Sequence, residues 1–226
     1  MNLSDLKTRV LEALGENAAA PVYYTAAHAT AAINSAQRLF AFLTLCLEAE
    51  SNLVLNPGDC WYTTDFGHIV IMRIMRGSTK VTPCRLSDLD ALDPDWQNAT
   101  QAAVTRYAPT GGRLFALYPP PASGSVTVTF AKVPAALSSD SDVPSIPVEY
   151  HPCLVDGAVV FARLREGGNE LQDEMPRLER FMGSIQQMAG YVRARNAANG
   201  YDVMPPELKR FDPSKLVKFH NPGGKE

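Results

Sequence analysis

Asp88, Asp90, Asp93 and Asp95 form the densest set of potential ligands or acid–base groups in the chain. Alternate carboxylates can wrap a hard cation such as calcium, but the EF-hand pattern also needs a glycine at its sixth position and a closing glutamate. Here Asp93 breaks the alternation and occupies the sixth position, and no glutamate closes the loop. Two of these carboxylates could instead act as acid and base on a glycosidic bond. Helix capping and turn formation explain them better. The four histidines, His28, His68, His151 and His220, are scattered over different predicted elements, and no GxxxxGK[ST], HExxH, GxSxG or GxGxxG string occurs. Cys46, Cys60, Cys84 and Cys153 are widely spaced, without a CxxC pair, as expected of buried thiols in a reducing compartment. These patterns predict no catalytic residue, no cofactor and no metal.

A second cluster lies near the C-terminus, where Lys209, Arg210, Lys215 and Lys218 alternate with Phe211, Leu216, Val217 and Phe219. Basic and aromatic residues interleaved in this way can track a nucleic-acid strand. Asp202, Glu207 and Asp212 dilute the charge, and the whole chain carries a net −3, against the basic excess of a dedicated nucleic-acid binder. The preferred reading is a protein-docking arm with Phe211, Leu216, Val217 and Phe219 as apolar anchors.

These clusters must be positioned by a folded body, and 46% hydrophobic residues in 226 suffice for a core without staples. Leu3, Leu6, Val10 and Leu14 predict a first helix ending at Gly15. Ala29, Ile33, Ala36, Phe40, Leu43 and Leu47 predict a second, from about Thr25 to Glu48. Strands are expected at Ile69 to Met75, Lys80 to Pro83, Val104 to Tyr107, Leu114 to Tyr118 and Val126 to Val133. Between them Leu86 to Leu92 predicts a helical turn ended by Asp93-Pro94, with Trp96 anchoring it to the sheet. Ser138 to Asp142 reads as a mobile polar loop. Helices resume from Pro147 to about Arg165, and again through Leu171, Met175, Leu178, Met182, Ile185, Ala189 and Val192, with Pro176 either kinking the last helix or marking its start. The longest apolar run, Leu39 to Leu47, is too short to span a bilayer, and the N-terminal segment lacks the pattern of a secretion signal, so no membrane contact is expected.

The phrases DLDALDPDWQNAT, LFALYPPP and IPVEYHPCLVDGAVVFA, in that order and with a valine-rich strand before the last, resemble the head-to-tail adaptor (connector) proteins of tailed bacteriophages. The similarity spans roughly Thr25 to Arg195 and is strongest from Leu86 to Ala162; Gln101 stands where the family pattern would place a glycine. The resemblance implies a structural virion protein made in the host bacterial cytoplasm and located at the neck. It implies a homo-oligomeric ring, usually a dodecamer, beneath the portal protein. That ring would hold the next tail component, a nozzle or stopper, and let genomic DNA pass through its lumen without sequence-specific binding. It further implies an extended C-terminal arm gripping the portal, whose candidate residues are Lys209, Arg210, Phe211, Lys215, Leu216, Val217, Lys218 and Phe219.

The expected architecture is α+β: a bundle of about four helices with a small inserted β-rich region. Its parts are N-terminal helices (1–55), the β-rich region (56–146), C-terminal helices (147–199) and the arm (200–226). The expected function is structural and not enzymatic. A virion-associated cell-wall hydrolase using the Asp88 to Asp95 carboxylates and a DNA-binding packaging factor using the basic tail are the alternatives.

Overall fold

A computed structural model describes residues 1–65, 67–111, 113–164 and 173–207. In chain order the elements are α1 (Leu3–Ala13), α2 (Ala26–Thr44), β1 (Glu48–Leu55), β2 (Trp61–Thr63), β3 (His68–Arg76) and β4 (Thr79–Pro83). There follow α3 (Leu86–Leu92), β5 (Arg106–Gly111), β6 (Leu114–Tyr118), β7 (Gly124–Lys132), α4 (His151–Leu164) and α5 (Met175–Ala198). They divide into two compact units: a helical one comprising 1–46, 134–193 and the chain from 205 onward, and a β unit comprising 47–133 and 194–204.

In the helical unit, α1 starts at Asn2, whose side chain accepts the Asp5 amide at 2.9 Å while the Asp5 carboxylate accepts the Asn2 amide at 3.2 Å. The reciprocal bonds satisfy donors that a helix start otherwise leaves unpaired. Leu3, Leu6 and Val10 of α1, Ile33, Ala36 and Phe40 of α2, Leu154 and Ala158 of α4, and Phe181, Ile185 and Val192 of α5 are buried. Pro176 lies in the first turn of α5, where its missing N–H costs nothing, so it marks a start and not a kink. Gly157 is dictated by packing: a Cβ there would sit 2.9 Å from the ring of Phe181, which is 1% exposed.

Two amides of α2 fix the segment that follows the sheet. Asn34 donates to the Leu137 carbonyl and accepts the Leu137 amide, at 3.0 and 2.8 Å. Gln37 donates to the Ala135 carbonyl at 3.0 Å and accepts the Ser145 amide at 3.1 Å. The Ser138 to Asp142 loop, expected to be mobile, is stitched in place. Asp142 accepts the Ser138 and Ser139 amides at 2.8 Å each. Its carbonyl and that of Asp140 receive the Leu3 and Ser4 amides of α1, and Lys7 pairs with the Asp140 carboxylate. Glu16 plays a similar role, accepting the amides of Val22, Tyr23 and Tyr24 at 2.9 to 3.0 Å.

The β unit corrects the expected architecture. A four-helix bundle with a small β insertion is not what the chain builds: the described residues form five α-helices and one seven-stranded sheet, ordered β1-β7-β3-β4-β5-β6-β2, that curls into a half-barrel. All neighbours are antiparallel except β4 and β5, which are parallel. One core cluster takes a side chain from every strand: Leu55 of β1, Tyr62 of β2, Ile74 of β3, Val81 of β4, Tyr107 of β5, Phe115 of β6 and Val128 of β7 among them. Side chains from both edges of a flat sheet cannot meet in one cluster, so curvature follows from this convergence. Irregularities in the β3–β7 register, between His68 and Val70 and again between Ile71 and Arg73, supply local twist. The Tyr62 hydroxyl bonds both the amide and the carbonyl of Asn56, just beyond β1, so it ties the two edge strands together.

The missing strands explain the error. The apolar period of α2 continues through Leu47, but the backbone leaves the helix at Leu45, which takes a left-handed φ of 51° while only 5% exposed, and β1 begins at Glu48. Burial of the leucine offsets the steric cost of that conformation, which is about 1–2 kcal/mol. β2 has only three residues. Elsewhere β6 lies where expected, β5 begins two residues later than predicted, and α3 packs on the convex face of the sheet through Leu89. Trp96, 2% exposed, packs there too, against the small Ala108 and Ala116.

Replacing Gly157 with alanine should destabilise the protein by about 1–3 kcal/mol in denaturant unfolding, because the buried Phe181 ring has little room to retreat. Backbone N–H donors, Val22 first, hold the Glu16 carboxyl below its usual value, and those of Ser138 and Ser139 do the same for Asp142. Lowered folded-state values contribute stability that is complete above the ordinary carboxylate range and lost as pH falls through them. The melting temperature should therefore drop as pH falls below about 4.5, and a Glu16→Gln, Asp142→Asn double variant should show a shallower drop.

Candidate interaction site at the root of the C-terminal arm

The arm residues Lys209, Arg210, Phe211, Lys215, Leu216, Val217, Lys218 and Phe219 lie outside the described residues, as does His220. The structure does describe what the arm hangs from. α5 ends at Ala198, and Gly200 turns the chain at a φ of 65°, a region open to glycine at little cost. The Tyr201 amide then bonds back to the Asn196 carbonyl at 3.0 Å, and the fully buried Asn196 side chain donates to the Val203 carbonyl at 3.3 Å.

Within the β unit this turn is fastened to three strands. The Asp202 amide donates to the Met72 carbonyl of β3 at 3.0 Å. Lys80 of β4 reaches both the Gly200 carbonyl, at 2.9 Å, and the Asp202 carboxylate, at 2.6 Å. Tyr201 is 9% exposed, with the Arg73 guanidinium 5.2 Å from its ring centre and its hydroxyl donating to Glu48 of β1. The other Glu48 oxygen pairs with Arg195 at 3.2 Å, and Arg195 also holds the Asn196 amide oxygen. Burial, reinforced by the neighbouring Asp202 charge, pushes the Tyr107 phenol well above its usual range. Burial and the bond to Glu48 likewise raise that of Tyr201, so both phenols stay protonated at any physiological pH.

In the helical unit the chain is held for a few residues more. Arg193 pairs with Glu207 at 2.6 Å and donates to the Pro205 carbonyl at 2.7 Å. Backbone or side-chain bonds thus fix the chain repeatedly between Asn196 and Glu207, and the arm residues start immediately beyond.

The charges of this site hold backbone in place and form no reaction centre. The acidic cluster behaves likewise. Asp88 accepts the Arg85 amide at 2.9 Å, Asp90 accepts the Trp96 indole N–H at 2.9 Å, Asp93 accepts the Asp95 amide at 3.0 Å, and Asp95 accepts the Asn98 side chain at 2.7 Å. Capping and turn formation, as expected, occupy Asp88, Asp93 and Asp95, while Asp90 holds the indole of Trp96. His28, His68 and His151 stand in separate surroundings: His68 bonds Thr64, while His151, 2% exposed, bridges the Ile146 carbonyl and the N-terminal amine. Among the described residues no group of three histidines, cysteines or carboxylates could hold a metal. The four cysteines carry thiols, and burial pushes that of Cys153 up to about 12.

Sequence reasoning missed the grouping of Glu48, Arg73, Lys80, Arg195 and Tyr201. No local pattern marks them, because the sheet brings them together from four separate stretches. Gln101, the departure from the family pattern, lies against Gly58, its Nε2 3.1 Å from where a Cβ would stand. A family model described as SU10 adaptor protein matches residues 1–202. No curated protein matches the chain. Among the described residues no helix is long and apolar enough to cross a membrane.

Tyr201→Ala should remove a buried ring and the anchor of Glu48, costing about 2 kcal/mol. Hydrogen exchange at the Asp202 amide should accelerate at least tenfold, while the amides of α1 stay unchanged.

Proposed function

The chain belongs to the SU10 adaptor protein family, a family of phage head-to-tail adaptors, and on that premise we propose that its copies form a ring, a dodecamer, beneath the portal. The ring links the portal vertex to the next tail component, and genomic DNA passes through its lumen. The observation that carries this reading is the family match, which spans the chain from its first residue to Asp202. Membership gives the coarser role, a structural connector at the virion neck; ring number, portal docking and DNA passage are the proposal.

Portal docking is assigned to the arm. Phe211, Leu216, Val217 and Phe219 enter apolar pockets of the portal, and Lys209, Arg210, Lys215 and Lys218 pair with acidic groups around them. The fastened root supports this assignment. With the chain held as far as Glu207, nineteen residues remain, a reach of about 60 Å when extended. A fixed root also lowers the entropy lost when the arm docks, compared with an arm free from Gly200. The nineteen residues after Glu207 carry five basic and two acidic residues, net +3, leaving sixteen basic and twenty-two acidic among the first 207, net −6. A negative body suits a channel wall, since it repels passing phosphate. The hydrolase alternative loses its candidate acids, each of which is engaged in a cap, a turn or an indole bond.

Mixing the protein with purified portal and imaging the complex by cryo-electron microscopy tests the ring. Phe211→Ala with Phe219→Ala should weaken portal binding by at least about a hundredfold, since two buried aromatic anchors are lost. The melting temperature should not change. Binding unaffected by both substitutions would overturn the assignment.

A further inference from the structure

The two edges of the curled sheet are unequal. β2, at one end, is three residues long and offers little to pair with. β1, at the other, runs for eight residues in unbroken register with β7, without a bulge, a proline or a lysine. Short strands, bulges, prolines and lysines are the usual protections of a sheet edge, and β1 has none of them.

The direction of its free groups follows from the ladder. The Lys132 amide bonds the Leu47 carbonyl at 2.8 Å, which sets the hydrogen-bonded pairs at Leu47, Ala49, Ser51, Leu53 and Leu55. The amides and carbonyls of Glu48, Glu50, Asn52 and Val54 therefore point away from β7. Among the described residues no backbone group bonds to them, and Glu50, Asn52 and Val54 are exposed, Val54 to 73%. The charged side chains of this strand are both acidic: Glu48, already paired with Arg195, and the exposed Glu50.

The chain contains a segment that matches this edge in length and charge. Ser214 to Asn221, SKLVKFHN, is a proline-free run of eight residues bounded by Pro213 and Pro222. Val217 and Phe219 are residue types that favour strands, and its charged residues are both basic. We propose that, away from the portal, Ser214 to Asn221 of one copy adds as an eighth strand to the β1 edge of a second copy. Backbone bonds supply the affinity, and Lys215 and Lys218 against the acidic edge supply the sign. The choice of a second copy rests on the proposed ring: a donor arm and an acceptor edge on each subunit make a head-to-tail contact, the kind that closes rings. The exchange also covers the edge until the portal claims the arm.

The test uses the full chain and two single substitutions. Val54→Pro removes an outward N–H from an edge strand and leaves the β7 ladder intact. Val217→Pro breaks the donor and touches no part of the folded body described above. In hydrogen exchange the amides of Glu50, Asn52 and Val54 should be protected in the wild type, and more so with rising protein concentration. Val217→Pro should lose at least tenfold of that protection, and both variants should sediment at lower mass than the wild type. Unprotected β1 amides in the wild type would overturn the proposal. So would protection that is independent of concentration in a monomer, which would place the strand on its own copy. The ring reading is judged separately, by assembly on the portal. If Val54→Pro assembles there like the wild type and the wild-type β1 amides exchange freely, the edge inference falls and the ring stands; if no form assembles, the ring falls and the exchange data still decide the edge.

Discussion

A single apolar cluster has to be reached by side chains from seven strands, and most features of the β unit follow from that requirement. Val126, Val128 and Phe130 come from a central strand, but Leu55 and Tyr62 come from opposite edges. Bringing the edges together over one core forces the sheet to curl, and its opposite face is covered by α3 and Trp96. Ala108 and Ala116 stand there, which lets Trp96 and Leu89 lie close against the strands. The DLDALDPDW stretch is thus a cover for the back of the sheet, and its aspartates are spent on shaping it.

The same curl sets where polar residues are needed. Tyr201 and Asp202 are fastened by side chains from β1, β3 and β4, strands that stand apart in sequence and are joined through one sheet. Ionic fastening of this kind is specific in register but not strong. A half-exposed pair such as Lys80 with Asp202 contributes little once screened by solvent, whereas the buried Tyr201 ring and the backbone bond from Asp202 to Met72 carry more.

Much of the helical unit was legible in the sequence, because helical contacts repeat locally. The seam of α1 follows from spacing, Pro176 was expected either to kink α5 or to mark its start, and in the β unit the Asp93-Pro94 stop of α3 follows from the chemistry of single residues. The central strands were legible for a similar reason: the valines of β7 alternate with polar residues. Two things were hidden. EAESNLVL has too few β-branched residues to announce a strand, and its first residues looked like the continuation of a helix whose seam runs on through Leu47. The candidate site was hidden more deeply, since Glu48, Arg73, Lys80, Arg195 and Tyr201 acquire a common purpose only when the sheet is assembled. The segment proposed to dock was readable as composition alone.

The way α2 holds the segment after β7 has an evolutionary consequence. Asn34 and Gln37 address the backbone of Ala135, Leu137 and Ser145, and ignore their side chains. A peptide group is the same whatever residue carries it. Selection can therefore rewrite most of the exposed letters between Pro134 and Ser145 while the path of the chain stays put, provided the two amides on α2 are kept along with Asp140 and Asp142, whose carboxylates brace the loop. Much of the information for that path is stored about a hundred residues upstream of it, in positions that a comparison confined to the segment itself would never inspect.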